Sequence, residues 1–216
     1  MNIDAALESF KSGNFLLLHD GSNREDEVDM IMLAEYVKPE HIAIMRKDAG
    51  GLICVALDYH ISNILGLRYM HDILNGELKP LIYTLTPYGE KPAFSLTINH
   101  KDTFTGVTDR DRALTISRIG KICKSKDIRG DFFSEFKSPG HVHLLIAREG
   151  LLKERNGHTE LAIALTRLAN TTPAVTLCEM LDDKTHGALS LSKARVYAEE
   201  HGLFILEAKE IRERYG

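Results

Sequence analysis

The sequence predicts one α/β domain that extends over residues 1–216. The length lies within the usual range of a single domain, and hydrophobic residues make up 44% of the chain, which is enough for a substantial core. Strand-like and helix-like segments interleave along the whole sequence. No internal repeat, low-complexity tract or linker divides it, so a second domain is not expected.

Buried strands are predicted where short apolar runs stand between charged or turn-forming residues. These runs lie at residues 15–18, 30–33, 52–57, 94–99, 142–147, 175–177 and 203–206. The run at 94–99 alternates with period two, which indicates a strand with one buried face. The first two runs flank a charged stretch, so a charged loop between two strands is expected there.

Helices are predicted from apolar residues at helical spacing and from start and stop residues. The predicted helices lie at residues 3–10, 39–48, 114–122, 161–169 and 192–201. Thr108 and Asp111 have capping-box spacing before the third helix. Ser192 is expected to cap the last helix and Gly202 to end it. Residues 76–92 contain three prolines and are expected to be irregular.

Composition and motifs argue against several classes of protein. The formal charge of −4 gives no sign of a strongly basic face for nucleic acid. No apolar run approaches the roughly 18 residues that span a bilayer, and no secretory pattern opens the chain. The three cysteines are too far apart for a disulfide framework or zinc motif. We therefore expect a cytoplasmic protein without nucleic-acid or membrane partners.

The first candidate site is the acidic stretch Arg24-Glu25-Asp26-Glu27-Val28-Asp29. Its four carboxylates repel one another unless water, a cation or basic groups screen them. A solvated surface loop meets that requirement. A hard-cation site meets it too, because Mg²⁺ and Mn²⁺ prefer carboxylate and water oxygens. The spacing alone leaves both interpretations open.

The second candidate is Arg155-Asn156-Gly157-His158-Thr159, directly before a predicted helix. A helix N-terminus offers free backbone N–H groups and the positive end of the helix dipole, which together favour a phosphate. Arg155 would add a forked donor and Thr159 a hydroxyl, with His158 beside them as a candidate metal ligand. Alternatively, Thr159 or Asn156 merely caps the helix. The sequence leaves that choice open.

The third candidate is a pair of histidines, His141 and His143, in a predicted strand. Their side chains share one face of the strand because side chains alternate with period two. A proton-transfer role for His141 requires a partner. Glu179 is one candidate, because a carboxylate at the end of an apolar run is costly unless it is paired or used.

Six motifs follow one another along the chain. They are Arg24-Glu25-x-Glu27-x-Asp29, Gly50-Gly51-Leu52-Ile53-Cys54, Phe104-Thr105-Gly106-Val107-Thr108 with Asp111-Arg112, Ser138-Pro139-Gly140-His141-Val142, Gly157-His158-Thr159-Glu160 and Cys178-Glu179-Met180. In this order they resemble the 3,4-dihydroxy-2-butanone 4-phosphate synthases of riboflavin biosynthesis. The segments Arg46-Lys47-Asp48-Ala49-Gly50-Gly51 and Thr97-Ile98-Asn99-His100 resemble the archaeal branch most closely. The resemblance covers about residues 3–205. Val28 stands where the family often has glycine.

The resemblance implies roles for individual residues. Glu25 and His158 would hold the metal. His141 and Glu179 match positions treated as essential for catalysis, with Glu27 as an assisting acid. The substrate contacts would come from a larger set, namely Arg24, Glu25, Asp29, Cys54, Thr108, Arg155, Asn156, Gly157, His158, Thr159 and Glu179.

The resemblance also implies a reaction and a fold. The family converts ribulose 5-phosphate into 3,4-dihydroxy-2-butanone 4-phosphate and formate, through enolisation, dehydration and skeletal rearrangement. It uses Mg²⁺ or Mn²⁺, and two divalent ions per site are expected with substrate bound. The implied fold is one compact α+β domain with a mixed sheet flanked by helices, and the implied assembly is a homodimer with active sites near the interface.

Two other functions are compatible with such a fold. One is a nucleotide-using or RNA-modification protein, which would be expected to show a basic surface and Lys/Arg-rich nucleotide motifs. The other is a non-catalytic phosphosugar-binding protein, which has no need of Glu25, His141, His158 and Glu179 together. Formate release from ribulose 5-phosphate distinguishes the predicted lyase from both.

Overall fold

A computed structural model describes residues 2–74, 76–82, 85–86 and 88–216. Its strands are β1 (Leu16–His19), β2 (Val28–Leu33), β3 (Cys54–Leu57), β4 (Phe94–His100), β5 (Phe136–Ile146), β6 (Ala174–Glu179), β7 (Leu181–Asp182), β8 (Gly187–Ala188) and β9 (Phe204–Glu207). Seven of them form one sheet in the order β4-β5-β3-β6-β2-β1-β9, and β7 pairs separately with β8. Each of the seven predicted strands is thereby confirmed.

The large sheet is mixed, as expected. β1 pairs in parallel with β9 and β3 with β5, whereas the other neighbours are antiparallel. One strand boundary differs from prediction, because β5 begins at Phe136 rather than near Val142. Pro139 and Gly140, which precede the predicted strand, lie inside the observed one. Gly140 makes this possible, because a Cβ there would lie 2.0 Å from the carbonyl carbon of Ile98 in β4.

The helices are α1 (Ile3–Lys11), α2 (Pro39–Ile44), α3 (Tyr59–Leu65), α4 (Met70–Ile73), α5 (Asp109–Ile122), α6 (Ile128–Glu135), α7 (His158–Leu168), α8 (Leu191–His201) and α9 (Ala208–Tyr215). The five predicted helices are present as α1, α2, α5, α7 and α8. The prediction missed the short helices α3, α4, α6 and α9. Ser190 rather than Ser192 caps α8, and α9 rather than α8 is the last helix.

Two segments fit their predictions in part. α2 continues through one π-helical turn to Ala49, and Gly50 ends it in a left-handed conformation with φ 86°. The segment expected to be irregular contains one 3₁₀ helix at Gly76–Leu81 and no strand among its described residues. Asn75, Tyr83, Thr84 and Pro87 lie outside the described residues. Within the described ranges, no helix is long and apolar enough to cross a membrane.

Helices cover both faces of the large sheet. Along β1, Leu16 and Leu18 pack toward α1, α7 and α9, whereas Leu17 packs toward the other face with α2, α3, α5, α6 and α8. Because both faces are buried, the central strands are mostly apolar on both faces instead of alternating with polar residues, although β2 contains Asp29 and β6 contains Thr176. This explains why they are recognisable in the sequence as short apolar runs.

Three chain segments meet at one end of the central strands β2 and β6. The acidic loop of residues 20–27 connects β1 with β2, and β2 places Asp29 opposite Glu179 at the end of β6. α7 begins there with His158, whose Nε2 lies 3.2 Å from the carbonyl oxygen of Glu27. The fold therefore brings together sequence positions that are about 150 residues apart.

Candidate active site

The acidic loop is organised around the buried carboxylate of Asp20. Its two oxygens accept hydrogen bonds from the backbone N–H groups of Glu25 and Glu27, each at 3.2 Å. Asp26 has a left-handed φ of 55° and turns outward, where its carboxylate lies 2.9 Å from His19 Nε2. The loop thus directs Glu25 and Glu27 to one side and Asp26 to the other.

His158 joins this loop to the start of α7. Its Nδ1 lies 3.5 Å from Glu25 Oε2, and its Nε2 lies 3.6 Å from Asp29 Oδ1. Asp20, Glu25 and His158 each offer one ligand-type atom, and these atoms lie within 4.8 Å of one another. The structure therefore brings the predicted metal pair, Glu25 and His158, together and adds Asp20.

Burial and charge set the protonation of these groups. Burial opposes ionisation of Glu25, but hydrogen bonds with His158 and Tyr88 outweigh it and lower the pKa of Glu25 to about 2. Burial also opposes protonation of His158, yet the charge of Asp29 and the hydrogen bond to Glu25 raise its pKa to about 9. Burial raises the pKa of Asp29 to about 8, assisted by Glu179.

The donor set fits a divalent cation. Glu25 is ionised at neutral pH, and Asp29 Oδ1 is buried without a hydrogen-bond partner among the described residues. A buried acceptor of this kind is costly unless something pairs with it. Asp20 faces the same point and also holds the loop through the backbone N–H groups of Glu25 and Glu27. The predicted pair Glu25 and His158, with Asp20 beside them, are thus residues that could hold the ion.

Two arginines converge beside this cluster. Arg24 Nη2 donates to Glu90 Oε2 at 2.7 Å, and Arg155 Nε lies 2.8 Å from the same oxygen in an ion pair without hydrogen-bond geometry. Arg155 Nη1 donates at 2.6 Å to the fully buried Glu160. The Nε groups of both arginines are buried and have no hydrogen-bond partner within the described ranges. Both guanidinium groups thus contact one carboxylate oxygen of Glu90, which occupies a position suited to an anion.

The start of α7 is not capped by a side chain. Gly157 is the N-cap residue, so the alternative that Thr159 or Asn156 caps this helix is wrong. A Cβ at Gly157 would lie 2.4 Å from Arg155 Nη1 and 2.8 Å from Arg24 Nη1. Glycine therefore allows both guanidinium groups to pack against the helix start, where free backbone N–H groups favour an anion.

Glu179 is fixed at the end of β6. Its Oε2 accepts a hydrogen bond from the backbone N–H of Leu52 at 2.7 Å. A Cβ at Gly51 would lie 2.5 Å from the same oxygen, so the absence of a side chain at Gly51 permits this contact. Gly50, directly before it, ends the preceding helix. Nearby Cys54 is buried, and burial followed by the charge of Glu179 raises the pKa of its thiol.

These groups surround a cavity of about 440 Å³. Seven of the predicted site residues line it: Glu25, Glu27, Asp29, Arg155, His158, Thr159 and Glu179. Tyr88 also lines it, and its hydroxyl donates to Glu25. Burial, followed by the charge of Glu25, raises the pKa of Glu27 within this cavity.

Other predicted site residues lie outside that lining. Thr108 caps α5, accepting the N–H of Asp111 at 3.1 Å. His141 is exposed, and its ring contacts Asn99 rather than Glu179 among the described residues. The charge of Glu179 acts instead on His143. It favours protonation of that ring, but burial outweighs it and lowers the pKa of His143. The lining also lacks four further predicted residues: Arg24, Cys54, Asn156 and Gly157. Asn156 Oδ1 is nevertheless buried without a partner in the described part of the chain.

Three residues of this site had no clear signal in the sequence. Asp20 directly follows β1 and lies outside the acidic stretch of residues 24–29. Tyr88 and Glu90 belong to the segment that was expected only to be irregular. Their roles depend on contacts with Glu25, Arg24 and Arg155, which spacing alone does not reveal.

The fold and the site define an α/β protein with a cavity suited to a divalent cation and a small anionic ligand. Residues 4–214 match the family model for 3,4-dihydroxy-2-butanone 4-phosphate synthase. The chain belongs to this family, which confirms the predicted resemblance and the expectation of a lyase of riboflavin biosynthesis.

Archaeal and fungal proteins illustrate the likeness. The chain is 47% identical to the 3,4-dihydroxy-2-butanone 4-phosphate synthase of Methanothermobacter thermautotrophicus, covering 99% of this chain and 95% of that protein. The enzyme of Archaeoglobus fulgidus is 43% identical, with coverages of 100% and 94%. The structure of the Candida albicans enzyme superposes with a TM-score of 0.80 at 31% identity, covering 100% of this chain and 98% of that one.

A further similar structure holds metal. It is a 3,4-dihydroxy-2-butanone 4-phosphate synthase in complex with two magnesium ions, with a TM-score of 0.82 at 28% identity. The aligned region covers 98% of this chain and 94% of that one. Divalent metal binding is therefore a property of a relative with the same fold.

Proposed function

We propose that this chain converts D-ribulose 5-phosphate into 3,4-dihydroxy-2-butanone 4-phosphate and formate, using Mg²⁺ or Mn²⁺. One observation carries the proposal. A cluster with the character of a metal site, Glu25 with His158, adjoins two arginines that both contact the carboxylate of Glu90. A substrate with a phosphate at one end and vicinal oxygens at the other matches both halves of this cavity.

The phosphate is proposed to bind between the two arginines and the start of α7. Glu90 now places a carboxylate between Arg24 and Arg155, which supports this region as an anion site. Arginine forks are well suited to phosphate oxygens, and the uncapped helix start adds backbone N–H donors. Thr159 lines the cavity beside them and offers a hydroxyl.

The metal is proposed to bind Glu25 and His158, with two ions present when substrate is bound, as in the related complex with two magnesium ions. Such ions supply positive charge that stabilises negative charge developing on adjacent substrate oxygens. Asp29 faces this point, and an ion there would pair with its buried Oδ1, which has no hydrogen-bond partner among the described residues. His158 ligates only after it has lost its proton, so the ion and the proton compete for it.

Proton transfers are proposed to involve Glu27 and Glu179. Burial and the neighbouring Glu25 raise the pKa of Glu27, which brings it closer to the neutral range where a general acid or base works best. Glu179 is held by the N–H of Leu52 and faces the same cavity. The reaction starts by removal of a proton next to a carbonyl, and these carboxylates are positioned on the cavity wall to exchange protons with substrate.

His141 and Thr108 are proposed to reach the cavity of a second copy in a homodimer. Both are exposed and lie outside the cavity lining of their own chain. Their neighbours Phe104 and Val107 are apolar and 97% and 52% exposed, which is costly unless a partner covers them. The three described cysteines are free thiols, which supports the further proposal of a reducing cytoplasm.

The test is formate release from ribulose 5-phosphate by the purified protein, with Mg²⁺ and after chelation. Glu25→Gln and His158→Ala should each abolish turnover. Glu149→Gln and His60→Ala are matched controls, because both residues are exposed and neither lines the cavity. Both controls should turn over at the wild-type rate.

Two results would contradict the proposal. Near-normal turnover by Glu25→Gln or His158→Ala would contradict the proposal that Glu25 and His158 bind the metal. Binding of ribulose 5-phosphate by the wild-type protein without formate release would instead support the non-catalytic phosphosugar-binding alternative.

A further inference from the structure

Asn99 makes two hydrogen bonds to a single residue, His141, across the β4–β5 pair. Its Oδ1 accepts the backbone N–H of His141 at 2.8 Å, and its Nδ2 lies 3.1 Å from His141 Nδ1. The Asn99 side chain is nearly buried, with 5% of the residue exposed, whereas His141 is exposed. A buried amide therefore holds an exposed imidazole by one edge.

These two contacts fix the tautomer of the histidine. A backbone N–H only donates, so the amide atom that faces it is the oxygen, and the amide NH₂ group faces the ring. An NH₂ group also only donates, so Nδ1 must accept with its lone pair. The proton of the neutral His141 ring then resides on Nε2, at the exposed edge.

The surroundings leave the amide little freedom to turn. Gly106 has a φ of 95°, and a Cβ there would lie 2.1 Å from Asn99 Nδ2. The backbone N–H of Gly106 donates to Asp111 at 2.8 Å, which holds this glycine in place. On the other side, a Cβ at Gly140 would lie 2.3 Å from the backbone nitrogen of Asn99. Two glycines of the family motifs thus pack directly against Asn99.

We propose that Asn99 is a positioning residue that holds His141 as the Nε2–H tautomer, so that His141 works as a hydrogen-bond donor. This inference rests on the proposed function, in which His141 reaches the reacting substrate. A neutral imidazole with its proton on Nε2 stabilises negative charge developing on a substrate oxygen. It does not accept a proton at Nε2, because no lone pair is available there, so the role of base falls to the carboxylates.

The first experiment measures the tautomer directly by ¹⁵N nuclear magnetic resonance of the full-length protein at a pH where the ring is neutral. Comparison with His141→Gln assigns the signals of this ring. We expect a protonated Nε2 and an unprotonated Nδ1 in the wild type. In Asn99→Asp, the carboxylate accepts from both groups, so the neutral-ring proton should move to Nδ1. A wild-type ring protonated on Nδ1, or a tautomer that Asn99→Asp leaves unchanged, would overturn the proposal.

The second experiment tests whether Asn99 acts through His141. Asn99→Ala should lower kcat by about 10- to 100-fold, the cost of a misplaced catalytic group, while KM stays within about twofold. In a His141→Gln background, the same substitution should change kcat by less than about twofold, because its partner is already gone. Full additivity of the two losses would show that Asn99 acts elsewhere and would refute the positioning role.

Two further variants keep these outcomes interpretable. Ser138→Ala removes a hydrogen bond to Thr97 across the same strand pair without touching Asn99, and it should leave kcat unchanged. Gly106→Ala displaces the Asn99 amide without removing it and should lower kcat in the same direction as Asn99→Ala. If the wild type releases no formate, the proposed reaction fails, but the resonance experiment still decides the tautomer.

Discussion

Replacing Arg155 by alanine removes a buried cation that serves both stability and ligand binding. Its Nη1 donates at 2.6 Å to Glu160, which is 0% exposed. In the variant, the backbone N–H of Arg148, at 3.0 Å, is the hydrogen-bond donor that remains to the Glu160 carboxylate among the described residues. Leaving one partner of a buried ion pair alone should cost about 3–5 kcal/mol of unfolding free energy.

The same substitution should weaken substrate binding separately. A hydrogen bond from a charged donor to phosphate contributes about 1.5–3 kcal/mol, which corresponds to a rise in KM of about 10- to 150-fold. Urea unfolding followed by circular dichroism measures the first loss, and the formate assay measures the second. The two losses must be separated, because a partly unfolded enzyme also has reduced activity.

A double variant separates them. Arg155→Met with Glu160→Gln removes both charges, so most of the stability should return while KM stays high. Arg195→Ala is the matched control, because Arg195 forms an exposed ion pair with Glu207 that contributes at most about 1 kcal/mol. The reasoning fails if Arg155→Ala leaves KM unchanged, or if the double variant restores KM together with stability.

Three other predictions concern the same cavity. His158 has a pKa of about 9 and must lose its proton to bind metal. The affinity for Mg²⁺ should therefore rise by up to about tenfold per pH unit below pH 9 and level off above it. Calorimetry in buffers of different ionisation enthalpy should detect the released proton. Gly51→Ala should displace both the side chain and the backbone carbonyl of Glu179, because a Cβ there would lie 2.5 Å from Oε2 and 2.6 Å from the carbonyl oxygen. It should lower kcat by about 10- to 100-fold in the formate assay, and circular dichroism would show how much of the fold is lost with it. Glu90→Gln should strengthen inhibition by inorganic phosphate by up to about fivefold, since the carboxylate that competes with phosphate for the two arginines loses its charge. An unchanged inhibition constant would count against this competition, and Glu149→Gln is the control.

Much of the fold could be predicted because the large sheet is buried on both faces. Most residues of β2 and β6 are apolar, with Asp29, Thr176 and Glu179 as the exceptions, and such runs are visible in the sequence without any knowledge of the partner strands. Short helices such as α4 and α6 expose much of their surface and carry little periodic signal, so they were missed. Their existence depends on tertiary packing rather than on local pattern.

Spacing and residue chemistry alone left the acidic loop open between a solvated loop and a cation site, and the resemblance to the family was needed to pair Glu25 with His158. The structure places His158 Nδ1 3.5 Å from Glu25 Oε2. Asp20 and Glu90 were not found, because each acts on a group distant in sequence or through the shape of a loop. The capping role assigned to Asp111 was half correct: Thr108 accepts its N–H, but its carboxylate turns to the backbone of Gly106.

Glu90 gives the arginine pair a property that neither arginine has alone. Because its carboxylate already lies between Arg24 and Arg155, whose side chains are 6% and 9% exposed, an arriving ligand finds guanidinium groups that are neutralised and largely free of water. Binding is then an exchange of one anion for another. A neutral sugar gains nothing from such an exchange, and a monoanion only replaces the charge that it displaces. A phosphate dianion brings additional charge, so the pair selects ligands by their number of negative charges as well as by their shape.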